Sequence, residues 1–337
     1  MLAKPRSITY RIIITCILAM GLVAGFFGLQ QRIIQDQNRY TYRAGSSQLV
    51  LTASGQLWNA HFQHPLQKVL YHYNGSETPK RRFVTWSRGL LSIGVNQVGL
   101  HGFKGLFAVT EPSFPAGSFV ETSMKPLRAA PKPGQYAETI VAVQTATTPE
   151  NGQINYVIAS LTQAPRGNLL QLGYANGVVR DAKTYILRDY QAPHLFTTVA
   201  NQPVTISTNG LHDLKIWLGS RLILNESRLD LNIIPPFQVY LEVQSQGLRY
   251  AARFHRLVIY RSNQVTMDGI PNGAIVTVLG PHGTPLAEGP ARHGTFTMAL
   301  TPPRLQASVT VRVSLGTRVT TFHGVVVKGG DVYAYRA

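Results

Sequence analysis

An antiparallel all-β chain is predicted by three observations: strict alternation in the Phe237–Gln244 region, a tight-turn hairpin just before it, and no apolar run of period 3.6 beyond the amino terminus. Phe237, Val239, Leu241 and Val243 alternate with Gln238, Tyr240, Glu242 and Gln244, which sends apolar groups to one face of a strand and polar groups to the other. Leu214, Ile216 and Leu218 lead into Gly219-Ser220 and a returning run from Arg221 to Leu224, a hairpin with glycine first in its turn. After Ser245 to Gly247 the alternation resumes at Leu248, Tyr250, Ala252 and Phe254, then changes parity at Leu257 and Ile259. One extra residue near His255 predicts a bulge.

The elements before this stretch follow in chain order. Lys4, Arg6 and Arg11 precede an uncharged run from Ile12 to Leu29, and eighteen helical residues rise about 27 Å, close to the thickness of a bilayer core. No small-x-small cleavage site closes the run, so it is read as an uncleaved signal-anchor over residues 12–31, with a cytoplasmic head at 1–11 and a stalk at 32–46. The single cysteine, Cys16, lies inside this run, which leaves the rest of the chain without disulfides. The basic residues on its two sides balance. The short head and the large β-rich region beyond favour the amino terminus inside and the β domains outside a cell membrane. Short segments punctuated by Gly, Pro, Asn and Ser then read as strands, among them Gln48–Thr52, Phe119–Ser123, Glu138–Gln144 and Ile154–Leu161. Met124 to Gln135, with three prolines and three basic residues, reads as an exposed loop.

The runs GLHDLKIWLGSRLIL, PFQVYLEVQSQ and ARFHRLVIYRS resemble the closing half of concanavalin A-like lectin/glucanase domains, the group that includes laminin G-like jelly rolls. The resemblance implies a two-sheet jelly roll over residues 47–262 whose concave face binds saccharides. Beyond it, residues 263–337 carry evenly spaced short strands and glycine turns, and resemble the small immunoglobulin-like or prealbumin-like sandwiches that follow binding or catalytic domains. The expected fold is thus an antiparallel jelly-roll β-sandwich plus a smaller C-terminal β-sandwich, preceded by one transmembrane helix.

The formal net charge is +17, spread as six basic against one acidic residue in 1–44, twenty against eleven in 45–261, and six against three beyond. The densest basic cluster, Lys80-Arg81-Arg82, reads as a charged loop, and no Lys/Arg block of the length of a nucleic-acid arm or nucleic-acid fold signature accompanies it, so no nucleic-acid partner is expected. A diffuse basic exterior suits an anionic envelope polymer or lipid headgroups. Glucanases of the resembled group commonly set two carboxylates on one strand as Glu-x-Asp-x-Glu, and no such spacing occurs here. Glu121, Glu138 and Glu242 each stand alone on a strand, and a catalytic pair requires two of them to meet across a sheet. The histidines form no metal-binding spacing, no Asp-rich calcium loop is present, and no cofactor is expected; a structural calcium ion has no signal in the sequence.

The best-supported surface is a saccharide site built from Trp217 and Lys215 on one strand and Gln238, Tyr240, Glu242 and Gln244 on another. An aromatic ring covers the apolar C–H face of a sugar while amides and a carboxylate take its hydroxyls. The leading expectation is a membrane-anchored, non-catalytic, extracytoplasmic protein that binds carbohydrate or an anionic envelope polymer. The alternatives are a jelly-roll glycoside hydrolase or lyase, and a structural or assembly component of the cell surface.

Overall fold

The structure is a computed structural model that describes residues 40–60, 84–87, 90–96, 103–109, 113–145, 155–176, 183–191, 194–302 and 304–337. The expected head, anchor and most of the stalk lie outside the described residues. Among those described, no helix is long and apolar enough to cross a membrane.

The described chain is almost entirely antiparallel sheet, arranged as two sandwiches. The larger one faces a six-stranded sheet against an eight-stranded one. The six-stranded sheet runs in the order Lys183–Tyr190, Gly167–Asn176, Tyr156–Ala164, Tyr136–Thr145, Phe237–Gln246 and Phe103–Val109, here β11, β10, β9, β8, β15 and β6. The eight-stranded sheet runs Arg221–Glu226, Leu214–Leu218, Val204–Thr208, Phe119–Pro126, Arg249–Tyr260, Leu90–Asn96 and Val84–Ser87, which are β14, β13, β12, β7, β16, β5 and β4. Gln56–Ala60, β3, adds to the carboxyl-terminal half of β16, beyond the end of β5.

The predicted alternation on β15 is realised residue by residue: Phe237, Val239, Leu241, Val243 and Ser245 are buried, and the residues between them are half-buried. The buried row meets Val141, Val143, Leu161, Leu172, Ile206, Ile216, Leu224, Phe254 and Leu257 in the core between the two sheets. Burying a side chain of this kind stabilises by roughly 1.5–3 kcal/mol, which is why the parity of each strand is tightly specified. The expected bulge is present. Arg256 takes a φ of 44°, and the register against β7 shifts between His255 and Leu257, so the inward row moves from Phe254 to Leu257. The hairpin of β13 and β14 turns at Gly219, whose φ of 57° is readily adopted by glycine.

The stretch Met124 to Gln135 differs from its expected form. β7 continues to Pro126, with Met124 fully buried in the core, so the loop begins only at Leu127. A helix that alternation does not announce, α1 at Leu195–Asn201, buries Leu195 and Val199. At seven residues it is too short to display a helical period in the sequence.

The smaller sandwich pairs a five-stranded sheet with a four-stranded one. The first contains Thr41–Ala44, Ser47–Ala53, Val332–Arg336, Gln264–Asp268 and Thr295–Ala299, named β1, β2, β23, β17 and β20; the second contains Pro285–Pro290, Ile275–Leu279, Gln306–Leu315 and Arg318–Lys328, named β19, β18, β21 and β22. Its carboxyl-terminal strands fall within residues 263–337, where short strands are expected. Its amino-terminal strands do not: Ser47–Ala53, expected to open the jelly roll, pairs with β23 some 280 positions later in the chain. Asp331 supports this closure, its carboxylate accepting from the backbone N–H of Gly55 at 2.7 Å and of Lys328 at 2.8 Å, and from the Tyr333 hydroxyl at 3.3 Å. Gly55 passes so close to Gly329 that a Cβ there would stand 2.1 Å from the Gly329 carbonyl oxygen. Only glycine allows that crossing, and no periodicity in 41–53 reveals which strand will receive it.

The two sandwiches share a buried seam. Phe119, Trp217, Val258 and Tyr260, on the outer face of the eight-stranded sheet, join the core of the smaller sandwich with Leu49, Val265, Met267, Phe322 and Tyr333.

Candidate functional site

The outer face of the six-stranded sheet carries a cleft of about 390 Å³. The antiparallel register of β8 and β15 sets Gln144 opposite Gln238, Ala142 opposite Tyr240, Ile140 opposite Glu242 and Glu138 opposite Gln244. β9 continues the face on the other side of β8, with Tyr156, Ile158 and Ser160 facing Gln144, Ala142 and Ile140. Ile140, Ala142 and Ile158 form a small apolar cluster flanked by Tyr156 and Tyr240. Gln144, Gln171, Gln244, Glu138 and Glu242 complete the lining with polar groups, and Ile186 closes one side.

Hydrogen bonds set several of these side chains. The Gln144 amide donates to the Tyr240 hydroxyl, which settles the outer ends of both against each other. Gln244 Nε2 donates to Glu242 Oε1 at 2.6 Å. Ser160 Oγ donates to Glu138 Oε1, and Thr162 Oγ1 donates to Gln171 Oε1 at 3.1 Å.

Glu138 and Glu242 are the sharpest chemical feature. Gln244 faces Glu138 directly, and Glu242 lies two residues along β15, so the two carboxylates are diagonal neighbours on one face, with Cα atoms about 7–8 Å apart in such an arrangement. Desolvation in the cleft raises both from the ordinary value of 4.5, against the hydrogen bonds they accept, and carries Glu242 to about 7 with help from the nearby Glu138 charge. Two carboxyls so placed titrate as a pair and retain a proton near neutral pH. A neutral carboxylic acid and a carboxylate can therefore share this face.

The expected saccharide residues separate onto two sheets. Tyr240, Glu242 and Gln244 line the cleft, and Gln238 extends their row past Tyr240. Trp217 and Lys215 are on β13, in the other sheet. Trp217 is 8% exposed, its ring 5.5 Å from that of Phe119 in the seam between the sandwiches, where no sugar reaches it. Lys215 is exposed on the same strand and takes no part in the cleft. An outward-facing parity becomes a solvent face only if nothing packs there, and here the smaller sandwich does.

Of the three lone strand carboxylates, two meet and the third is sequestered. Glu121 is 6% exposed in the seam, opposite Thr205 and Val258 in register. Its Oε2 and the Thr205 Oγ1 make no hydrogen bond with a described residue. Burial carries Glu121 up to about 7, against the pull of Arg256. Sequence reading named Glu138 only as one of three lone strand carboxylates, and missed Gln144, Tyr156 and Gln171 as site residues. Glu138 and Gln144 share one parity of β8, but only the register against β15 shows that this parity faces the same space as Glu242. Among the described residues, no group of three His, Cys, Asp or Glu side chains converges to hold a metal ion.

No protein-family model matches the chain, and no curated protein sequence matches it. Structural neighbours are jelly-roll glycoside hydrolases and carbohydrate-binding domains. They include the κ-carrageenase of Pseudoalteromonas carrageenovora in complex with a κ-carrageenan oligotetrasaccharide, 12% identical over 65% of this chain and 97% of that one, with a TM-score of 0.42. Porphyranase B of Zobellia galactanivorans is 7% identical over 65% of this chain and 96% of its own, with a TM-score of 0.37. The Emp46p carbohydrate recognition domain, in its potassium-bound form, is 9% identical over 62% and 97%, with a TM-score of 0.39. These are likenesses of fold, and the chemistry of this chain is argued from its own cleft.

Proposed function

We propose that the chain binds a saccharide in the cleft on the outer face of the six-stranded sheet. One observation carries the reading: an apolar floor of Ile140, Ala142 and Ile158 lies between two tyrosines and is bordered by three glutamines and two glutamates. A sugar ring presents C–H groups to such a floor and hydroxyls to planar amides and carboxylates. The proposed setting is an extracytoplasmic one, with the chain held by the apolar run Ile12 to Leu29 as a single-pass anchor. The test is a glycan and wall-polymer array probed with the full chain at low and high salt, alongside Ala142→Trp, which fills the cleft. Salt-resistant binding that the variant loses supports the site. Binding that salt abolishes assigns the partner to the basic exterior, because exposed charge is screened within about 10 Å at 0.1 M.

A second reading, cleavage of a glycosidic bond, is favoured by the Glu138 and Glu242 pair. Hydrolysis requires one carboxylic acid to protonate the leaving oxygen and one carboxylate to act as nucleophile or as base toward water, about 5–9.5 Å apart depending on stereochemistry. Release of reducing ends from an array-selected glycan, abolished in both Glu138→Gln and Glu242→Gln, would establish it. Binding without release leaves the protein a lectin.

A further inference from the structure

The charge inside the cleft is opposite in sign to the charge of the whole protein. The chain carries +17, yet no lysine, arginine or histidine is among the described residues lining the cleft, whereas Glu138 and Glu242 both are. Their hydrogen-bond donors are neutral: the Ser160 hydroxyl for Glu138, and the Gln244 amide for Glu242. A half-buried carboxylate pair with no cation among the described lining residues is poorly solvated and cannot readily hold two charges, and an arriving cation relieves both conditions. An arriving carboxylate or sulfate would set a further negative charge beside a pair that already holds back a proton. Resting on the saccharide reading of this cleft, we infer that its ligand is a glycan carrying free amino groups, whose ammonium is received between Glu138 and Glu242 while the sugar ring lies over Ile140, Ala142 and Ile158.

The rest of the lining agrees with that orientation. The amides of Gln144 and Gln171 are placed for hydroxyls, and the tyrosines flank the apolar cluster. Burial, and then the nearby charges of Glu138 and Glu242, push the Tyr136 phenol up to about 12, so it stays neutral and adds no further negative charge beside the pair. The basic exterior then plays a separate part: it attracts polyanions through screened, non-specific contact, and the cleft does not accept them.

The test is titration of the full chain with glucosamine oligomers, their N-acetylated counterparts and glucuronate-containing oligosaccharides, at about 0.15 M salt, where charges on the exterior are screened beyond about 8 Å. Amino oligomers should bind at least about ten-fold more tightly than the acetylated ones, in line with a charge-assisted hydrogen bond. In the near-isosteric Glu138→Gln/Glu242→Gln double variant that ratio should collapse toward one. Acetylated or uronate oligomers binding as tightly as amino oligomers, in a manner that Ala142→Trp abolishes, would overturn the inference and leave the cleft standing as a saccharide site. An absence of binding by all three classes would overturn both.

Discussion

The outer faces of the two large sheets start from the same kind of strand and finish as opposite environments. On the six-stranded sheet, the row Tyr240, Glu242 and Gln244 borders an open cleft. On the eight-stranded sheet, the corresponding outward row of β7, β12, β13 and β16 carries Phe119, Glu121, Thr205, Trp217, Val258 and Tyr260, and the smaller sandwich covers it. The first face has half-buried charge available to a ligand. The second has one carboxylate oxygen, Glu121 Oε2, and one hydroxyl, Thr205 Oγ1, buried with no hydrogen-bond partner among the described residues. Alternation places a residue outward from the sheet it belongs to, and the neighbour on that side decides between site and core.

The largest way to break this contrast is Trp217→Ala. As a seam residue it should cost about 3–5 kcal/mol of stability on chemical denaturation, while saccharide affinity per folded molecule stays at the level of the parent. Selective loss of affinity with stability intact would return Trp217 to the binding site. Next is Asp331→Ala, which leaves the Gly55 amide without its acceptor and should cost about 1–3 kcal/mol. Faster hydrogen exchange in β2 than in β15 would show the loss confined to the closure of the smaller sandwich.

A pH scan sharpens the contrast further. Glu242 and Glu121 each hold their proton up to about 7 when folded, against an ordinary 4.5. Between those values the native state binds protons that the unfolded chain has released. The contribution of these groups is therefore fully present below about pH 4.5 and is lost as pH rises through 7. Thermal midpoints should fall across this window, and Glu121→Gln and Glu242→Gln should each flatten the fall to a similar extent, because both groups are carried to about 7. Equal slopes in parent and variants would place the titration elsewhere. The smallest effect is expected at Tyr240, where replacement by Ala should weaken saccharide binding by about 1 kcal/mol and replacement by Phe by less.

The contrast between the sandwiches also explains which elements were legible in advance. β13 to β16 are local: a hairpin with a glycine turn, a ten-residue alternation and a bulge all leave their mark within a few residues. β2 leaves none, because its partner is β23 and the closeness of Gly55 to Gly329 is invisible until both are placed. The site divides in the same way. Tyr240, Glu242 and Gln244 were identified from their shared parity, a property of one strand. Their association with Glu138 and Gln144 depends on the pairing of β15 with β8 across about a hundred residues, and a shift of one residue would have sent Glu138 into the core.

By itself, the sequence determined that this chain is built from antiparallel strands, which parity of the long strands is apolar, and that the parity changes near His255. Those properties follow from the two-residue period of the extended backbone and from the transfer of apolar side chains out of water, both of which act locally. Only the tertiary structure decided that the amino-terminal strands close the smaller sandwich, that Trp217 is core, and that Glu138 meets Glu242. Each of these depends on register or on the packing of one sheet upon another, and contacts between residues far apart in sequence have no period to announce them.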